Sequence, residues 1–360
     1  MRVLVVLGTS AGGVGRHVHD LVESLADAGH HVVVACPPEV AAQFSLGAVA
    51  TAVVPFVVSD RPHPARDARA VRELAGPARG ADLVHAHGLR AAALAVLATR
   101  RGGPPVVTTL HNAAPTGAVT GAVYAALERV VARGSVLVLG VSADLVERMR
   151  RLGAHRTGLA VVAAPPPGAA HRDRFAVRAD LGLDDGTALA VVVARLAPQK
   201  GLDLLLDAHR ELRGEDLRLV TVIAGEGPLR GELEARIAAE RLPVRLLGRR
   251  DDVPDLLAAA DVVVSSAVWE GQPVGIQEAL HAGAAVVATD VGGTAAVVGD
   301  AAILVPPADP VSLSRAIRDV VVNGTVRDDL RSKAVERSDH LPTAADALQA
   351  ALAAYASVLG

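Results

Sequence analysis

At 360 residues the chain is too long for one ordinary hydrophobic core, so two domains of about 150–200 residues each are expected. Hydrophobic residues make up 51% but aromatics only 2%, leaving Ala, Val and Leu to build the interior, and a charge breaks every apolar run before the ~20 residues of a membrane span. The formal charge of −3 argues against nucleic acid as a partner, and the single Cys36 excludes an internal disulfide framework and fits a reducing cytoplasm.

The charge is unevenly spread. Residues 1–165 carry 16 basic and 11 acidic groups, the remainder 20 basic and 28 acidic. A net of +5 on the first part could meet an anionic acceptor or a membrane surface, although the simpler reading, solvated helix faces, is preferred.

In chain order, MRVLVVLGTSAGG has too short an apolar run for a signal peptide and reads as a first strand ending in a glycine turn. Strands follow at 3–8, 31–36, 52–56, 82–87, 105–110, 136–141 and 159–163, with amphipathic helices at 16–28, 67–78, 89–100 and 118–132. Near-continuous Val/Leu strands separated by helices indicate a parallel sheet covered on both faces. Three consecutive prolines in 163–174 break the pattern and mark a linker, here bounded as 166–174. A second series has strands at 188–195, 217–225, 244–248, 261–266, 284–290 and 302–306, and helices at 201–212, 228–240, 253–259 and 274–282. Helices at 310–322, 325–338 and 342–359 close the chain. The expected architecture is α/β: two Rossmann-like doubly wound domains, 1–165 and 175–340, facing a central cleft, with ligands at the carboxyl ends of the strands.

Candidate site residues therefore lie just after strands. Gly12 and Gly13 sit between strand and helix; with no acidic residue closing the second strand at Cys36-Pro37, a dinucleotide fingerprint is disfavoured. That leaves a backbone cradle for a phosphate or sugar, or a plain tight turn. His85 and His87 share one face of a strand but lack a third ligand, so a structural role is preferred over zinc. His111, directly after its strand, either faces a ligand or is a satisfied buried histidine. Arg195 and Lys200, five apart across a turn that opens a helix, can clamp two phosphates. Only Lys200 and Lys333 are lysines among 36 basic residues, so an ammonium at this turn departs from the chain's habit. The turn Gly225-Glu226-Gly227-Pro228 allows close backbone approach, and loop 247–252 is placed to border a base. Glu270 and Glu278 lie eight apart around Gly271-Gln272-Pro273-Val274, on a loop running into a helix, where carboxylates suit sugar hydroxyls better than phosphate.

Gly12-Gly13, His111, Arg195 with Lys200-Gly201, Gly225-Glu226-Gly227-Pro228, and Glu270 with Glu278 before AGAAVVATDVGG occur in an order that resembles the GT-B-fold retaining glycosyltransferases of family 4 over essentially the whole chain. The resemblance implies a hexosyl transfer with retention from a UDP- or GDP-linked sugar to a hydroxyl acceptor. Arg195 and Lys200 would hold the diphosphate, Glu278 the ribose and Glu270 the sugar hydroxyls; Gly12, Gly13 and His111 would close over donor and acceptor. The donor is a substrate rather than a cofactor. No metal is expected, since the chain has no Asp-x-Asp triplet and the Arg/Lys clamp can take a cation's role. Helix 342–359 is expected to pack back on the first domain. The acceptor stays open between lipid, metabolite and glycan, and the enzyme is placed in the cytoplasm, with a peripheral contact of the first domain at the inner membrane face. Gln272-Pro273 departs from the Phe-Gly common in the family and leaves donor identity open. The alternatives are a sugar-nucleotide epimerase of the same architecture and a non-catalytic sugar-nucleotide binder.

Overall fold

The computed structural model describes the whole chain except residues 11, 59–62, 101, 114–117, 165, 167 and 216, and the side chains of 118–120. Two compact units result: Met1–Ala164 together with Pro342–Gly360, and Pro165–Leu341.

The first unit runs β1 (Arg2–Leu7), α1 (Gly13–Asp27), β2 (His31–Cys36), α2 (Pro38–Gln43), α3 (Leu46–Val49), β3 (Ala52–Pro55), α4 (Pro64–Arg79), β4 (Leu83–His87), α5 (Leu89–Thr99), β5 (Val106–Leu110), α6 (Ala118–Gly134), β6 (Leu137–Gly140), α7 (Ala143–Arg151) and β7 (Thr157–Leu159). Its seven parallel strands lie in the order β3-β2-β1-β4-β5-β6-β7, so the chain reverses its direction of winding between β1 and β4. The β4 strand, LVHAH, is buried along its whole length although two of its five residues are histidines.

The second unit runs α8 (Arg174–Asp180), β8 (Ala188–Val193), a 3-10 turn (Pro198–Lys200), α9 (Leu202–Glu211), β9 (Leu219–Ala224), α10 (Arg230–Glu240), β10 (Val244–Gly248), α11 (Val253–Ala259), β11 (Val262–Ser265), α12 (Val274–His281), β12 (Val286–Thr289), α13 (Thr294–Val298), β13 (Ala302–Val305), α14 (Pro310–Val322) and α15 (Gly324–Ser338). The sheet order is β10-β9-β8-β11-β12-β13, again parallel, with its switch between β8 and β11. Separate Val/Leu/Ala clusters cover the two faces of this sheet, as the unbroken apolar strands require.

The last helix, α16 (Ala344–Leu359), belongs to the first unit. A capping box starts it: the Thr343 hydroxyl accepts from the Asp346 amide, and the Asp346 carboxylate accepts from the Thr343 amide. Its Ala351 and Tyr355 enter the cluster of Val3, Val5, Val18 and Leu21 beneath β1 and α1. Among the described residues no helix is long and apolar enough to cross a membrane.

Among the boundaries that differ from the sequence reading, three have a clear local cause. The strand expected at 159–163 pairs at Thr157–Leu159 instead, against Val138–Gly140. At this sheet edge three residues suffice for the ladder, and the apolar run beyond leaves it with Ala160 and Val162 still buried. Helix α1 starts three residues early because Gly12, at φ +70°, ends the preceding turn there. The linker bounded at 166–174 gives way to helix at Arg174, since the Asp173 carboxylate caps α8 by accepting from the Ala176 amide; Pro167 of that linker, and Pro165 just before it, lie outside the described residues.

Candidate functional site

In open parallel sheets ligands gather at the carboxyl ends of the strands flanking the switch point. In the second unit these are the ends of β8 and β11, which carry Arg195-Lys200 and Ser265-Glu270 respectively.

The two loops are joined by backbone and side-chain bonds. The Val268 amide donates to the Gln199 carbonyl at 2.9 Å, Gln199 Nε2 to the Trp269 carbonyl at 3.1 Å, and Ser266 Oγ to the Lys200 carbonyl at 3.1 Å. Gly201 makes this approach feasible: it stands at φ +56°, and a Cβ there would lie 2.1 Å from the Ser266 carbonyl oxygen. Across the junction Lys200 Nζ donates to Glu270 Oε1 in a half-buried ion pair. Arg195 is exposed, and its guanidinium has no ion-pair partner among the described residues.

The Glu270 backbone is held from the other side. Its carbonyl accepts from the Gly293 amide at 3.0 Å, and Gly292, at φ +55°, packs so tightly that a Cβ would come within 1.7 Å of that oxygen. The DVGG sequence after β12 is thus a brace for Glu270. Gly271 and Pro273 are buried and Gln272 is half-buried. Pro273 precedes α12 with φ −71°, and its carbonyl receives the Ile276 and Gln277 amides. The Val274 and Gly275 amides at the start of α12 meet no acceptor among the described residues, a helix end suited to an anion. Glu278 follows one turn later and is buried.

Gly225 and Gly227 do allow close approach, but to the protein's own backbone. A Cβ at Gly225 would lie 2.0 Å from the Ala194 carbonyl oxygen, and one at Gly227 2.3 Å from that of Leu196. These glycines seat the loop bearing Arg195. Glu226 between them is exposed and paired with Arg230 at 2.7 Å. In loop 247–252, Arg250 pairs with Asp252.

In the first unit the switch lies between β1 and β4. Gly12 is exposed and precedes α1, whose first residue is Gly13. His111 follows β5 and is buried, and its Nε2 lies 3.0 Å from His87 Nδ1 with the rings stacked. His17, on α1, faces both, with ring centroids 5.8 Å from His87 and 5.6 Å from His111. His85 is engaged elsewhere: Nδ1 bonds the Tyr355 hydroxyl at 2.7 Å and Nε2 the Thr109 hydroxyl at 2.8 Å. Burial lowers His17 to about 4 and His85 to about 3, with His17 adding to the latter. Burial, reinforced by the neighbouring imidazoles, holds His87 and His111 well below the usual histidine range. All four are therefore neutral near pH 7, and burial likewise raises the Tyr355 phenol.

Sequence spacing paired His85 with His87, yet the structure groups His87 with His17 and His111. Their nearest ring nitrogens all lie within 4.8 Å of one another, the geometry of a group that can hold a cation. Neutral imidazole is the metal-binding form. In the state observed, however, the His87–His111 hydrogen bond uses one nitrogen of each ring, and His87 Nε2 is buried without a partner. His17 was legible only as a histidine on the apolar stripe of Val14, Val18, Leu21 and Leu25; nothing local announced Tyr355.

Two Rossmann-like units, the second with a charged, glycine-braced junction of loops at its switch point, define an α/β protein built to bind a ligand at the strand ends. Sequence comparison narrows this. The profile of "Glycosyl transferases group 1" matches residues 173–337, and that of "Glycosyl transferase 4-like domain" matches 12–165. The alpha-D-kanosaminyltransferase of Streptomyces kanamyceticus is 30% identical over 293 residues, 74% of either chain. The D-inositol 3-phosphate glycosyltransferase of a Nocardioides species is 29% identical over 307 residues, 74% of this chain and 65% of that one. The crystal structure of Anabaena HepE in complex with UDP-glucose superposes with a TM-score of 0.83 over 99% of this chain and 100% of that one, at 20% identity. The chain belongs to the glycosyl transferases group 1 and has the GT-B fold.

Proposed function

We propose that the protein is a retaining, metal-independent glycosyltransferase that moves a hexose from a UDP- or GDP-linked donor to a hydroxyl acceptor. The observation that carries this reading is the junction of the β8 and β11 loops, where a cation for phosphate (Lys200) and a carboxylate for sugar hydroxyls (Glu270) meet beside the exposed Arg195. The structures of HepE with UDP and with UDP-glucose, on the same fold, support a sugar-nucleotide donor.

In this reading Arg195, Lys200 and the free amides of α12 hold the diphosphate, Glu278 the ribose, and Glu270 the sugar. The bond from the anomeric carbon to the diphosphate breaks as the acceptor oxygen bonds to that carbon on the same face. The acceptor proton passes to the departing phosphate oxygen. Charge accumulates on that phosphate, so fixed cations contribute more than a protein base. The first unit, through Gly12, Gly13 and the neutral His111, serves donor closure and the acceptor hydroxyl. The acceptor is a lipid, metabolite or glycan hydroxyl, and the basic first unit favours an anionic one, with peripheral contact at the cytoplasmic membrane face.

A thermal-shift panel of sugar nucleotides followed by product analysis tests the reading. A shift with one uridine or guanosine sugar nucleotide and an α-configured product from an α-linked donor are expected; an inverted product removes retention. Glu278→Ala and Lys200→Ala should each shrink the shift with nucleoside diphosphate, and unchanged shifts in both would sink the site assignment.

A further inference from the structure

Lys200 and Glu270 are the two groups that the proposed chemistry assigns to different parts of the donor, yet in this structure they bind each other. Their side chains are 27% and 12% exposed, so each is largely removed from water and neither is well placed to lose its partner without replacement. The backbones on which they stand are fixed. Gly201 locks the residue after Lys200 against Ser266, while Gly292 and Gly293 lock Glu270. The pair can therefore open by side-chain rotation alone.

We propose that this ion pair is the element by which the enzyme distinguishes its sugar nucleotide from the nucleoside diphosphate it releases. The inference rests on the donor assignment above and adds a coupling that the assignment by itself does not contain. A diphosphate that draws Lys200 away leaves the Glu270 carboxylate buried, without its cation and close to the phosphate charge. A donor with its sugar attached replaces the lost partner, because sugar hydroxyls donate to the carboxylate; the bare nucleotide has nothing to offer. The two substitutions of partner are favourable only together. After transfer the sugar no longer holds Glu270, the carboxylate returns to Lys200, and the released nucleotide loses a cation. The same device that admits the donor thus expels the product.

The consequence is a change of opposite sign in two affinities. In Glu270→Gln the side chain keeps its size and can still accept a hydrogen bond, but Lys200 is freed and the repulsion removed. Binding of bare nucleoside diphosphate should tighten by about fivefold to tenfold, while the sugar nucleotide weakens by about tenfold through loss of charge-assisted bonds. The ratio of the two affinities, which should favour the sugar nucleotide in the wild-type protein, should fall by about fiftyfold or more.

Isothermal titration of the full chain with UDP, UDP-glucose, GDP and GDP-glucose tests this in the wild type, Glu270→Gln, Lys200→Met and Lys200→Met/Glu270→Gln, with circular dichroism and melting without added nucleotide to confirm folding. The expected result is tighter nucleoside diphosphate and weaker sugar nucleotide in Glu270→Gln, with the gain falling below twofold, compared with Lys200→Met alone, once Lys200 is also replaced. Loss of both affinities in parallel, no change in either, or a gain that persists undiminished without Lys200 would overturn the proposal. Failure of the wild type to bind any of the four ligands would overturn the donor assignment itself. Were Glu270→Gln to misfold, Glu270→Ala takes its place: it also frees Lys200, so nucleoside diphosphate should tighten and sugar nucleotide weaken, and parallel loss or no change in either would overturn the proposal.

Discussion

His87 Nδ1 and His111 Nε2 lie 3.0 Å apart, a hydrogen bond between two buried imidazoles on neighbouring strand ends. One ring must donate and the other accept, so the bond is lost once both rings are doubly protonated and no acceptor remains. With His17 and His85 beside them, four histidines are held neutral in one region of the first unit.

That arrangement fixes a pH dependence. The folded values are lowered, to about 4 for His17 and about 3 for His85, against an ordinary 6.5. Between those limits the unfolded chain binds protons that the native unit refuses, so stability falls as pH drops below 6.5 and continues to fall toward pH 4. Each such histidine contributes a slope of about 1.4 kcal/mol per pH unit within its window. Hydrogen exchange of the β4 and β5 amides from pH 7 to 4.5 should show this loss of protection after correction for intrinsic exchange. His17→Leu should flatten the slope by the share of one group. An unchanged slope would mean that His17 titrates freely in the folded unit.

Tyr355 joins the last helix to this cluster. Its hydroxyl is the partner of His85 Nδ1 at 2.7 Å, and the residue is fully buried. Tyr355→Phe keeps the ring but leaves a buried imidazole nitrogen unsatisfied, which should destabilise the first unit by about 1–3 kcal/mol. The measurement is loss of exchange protection in β4 and α16 together. A change confined to α16 would show that the hydroxyl does not tie the helix to the sheet.

Gly292 braces Glu270 at a position no other residue can occupy, with φ +55° and a Cβ path that ends 1.7 Å from the Glu270 carbonyl oxygen. Gly292→Ala should displace the loop carrying Glu270 at a strain of about 1–3 kcal/mol. Sugar-nucleotide affinity should drop by about tenfold or more while circular dichroism stays native. Wild-type affinity in a folded Gly292→Ala protein would show that the brace does not position Glu270.

The strands were legible because buried parallel strands are written as Val/Leu runs, and eleven of the helices because amphipathic or Ala-rich stretches lie between those runs. The short helices α2, α3, α8 and α13 were not, since so few residues carry little readable period, although the equally short α11 was placed from its position between two strands, and α7 was lost among its arginines. At the site, Lys200 and Glu270 were each visible from local spacing, but their mutual pairing spans 70 residues and comes from the β8–β11 neighbourhood. The same holds for His17, 70 positions before His87. The glycines of GEGP were visible as conformationally special, but not that they face the Ala194 and Leu196 carbonyls.

Removal of divalent cations separates the two roles open to the histidine trio. If Arg195 and Lys200 supply the positive charge for the departing diphosphate, turnover should be unchanged by EDTA, and the protein as purified should hold no stoichiometric metal. His17, His87 and His111 then act as a neutral cluster in which His87 and His111 are hydrogen-bonded, and on the proposed role of His111 at the acceptor hydroxyl His111→Ala should lower kcat more than donor affinity. Activity measured with and without EDTA, in the wild type and in His17→Ala, gives the answer. A loss in EDTA that zinc restores in the wild type but not in His17→Ala would make the trio a metal centre. Its three ring nitrogens, within 4.8 Å of one another, would then have to trade the His87–His111 hydrogen bond for coordination.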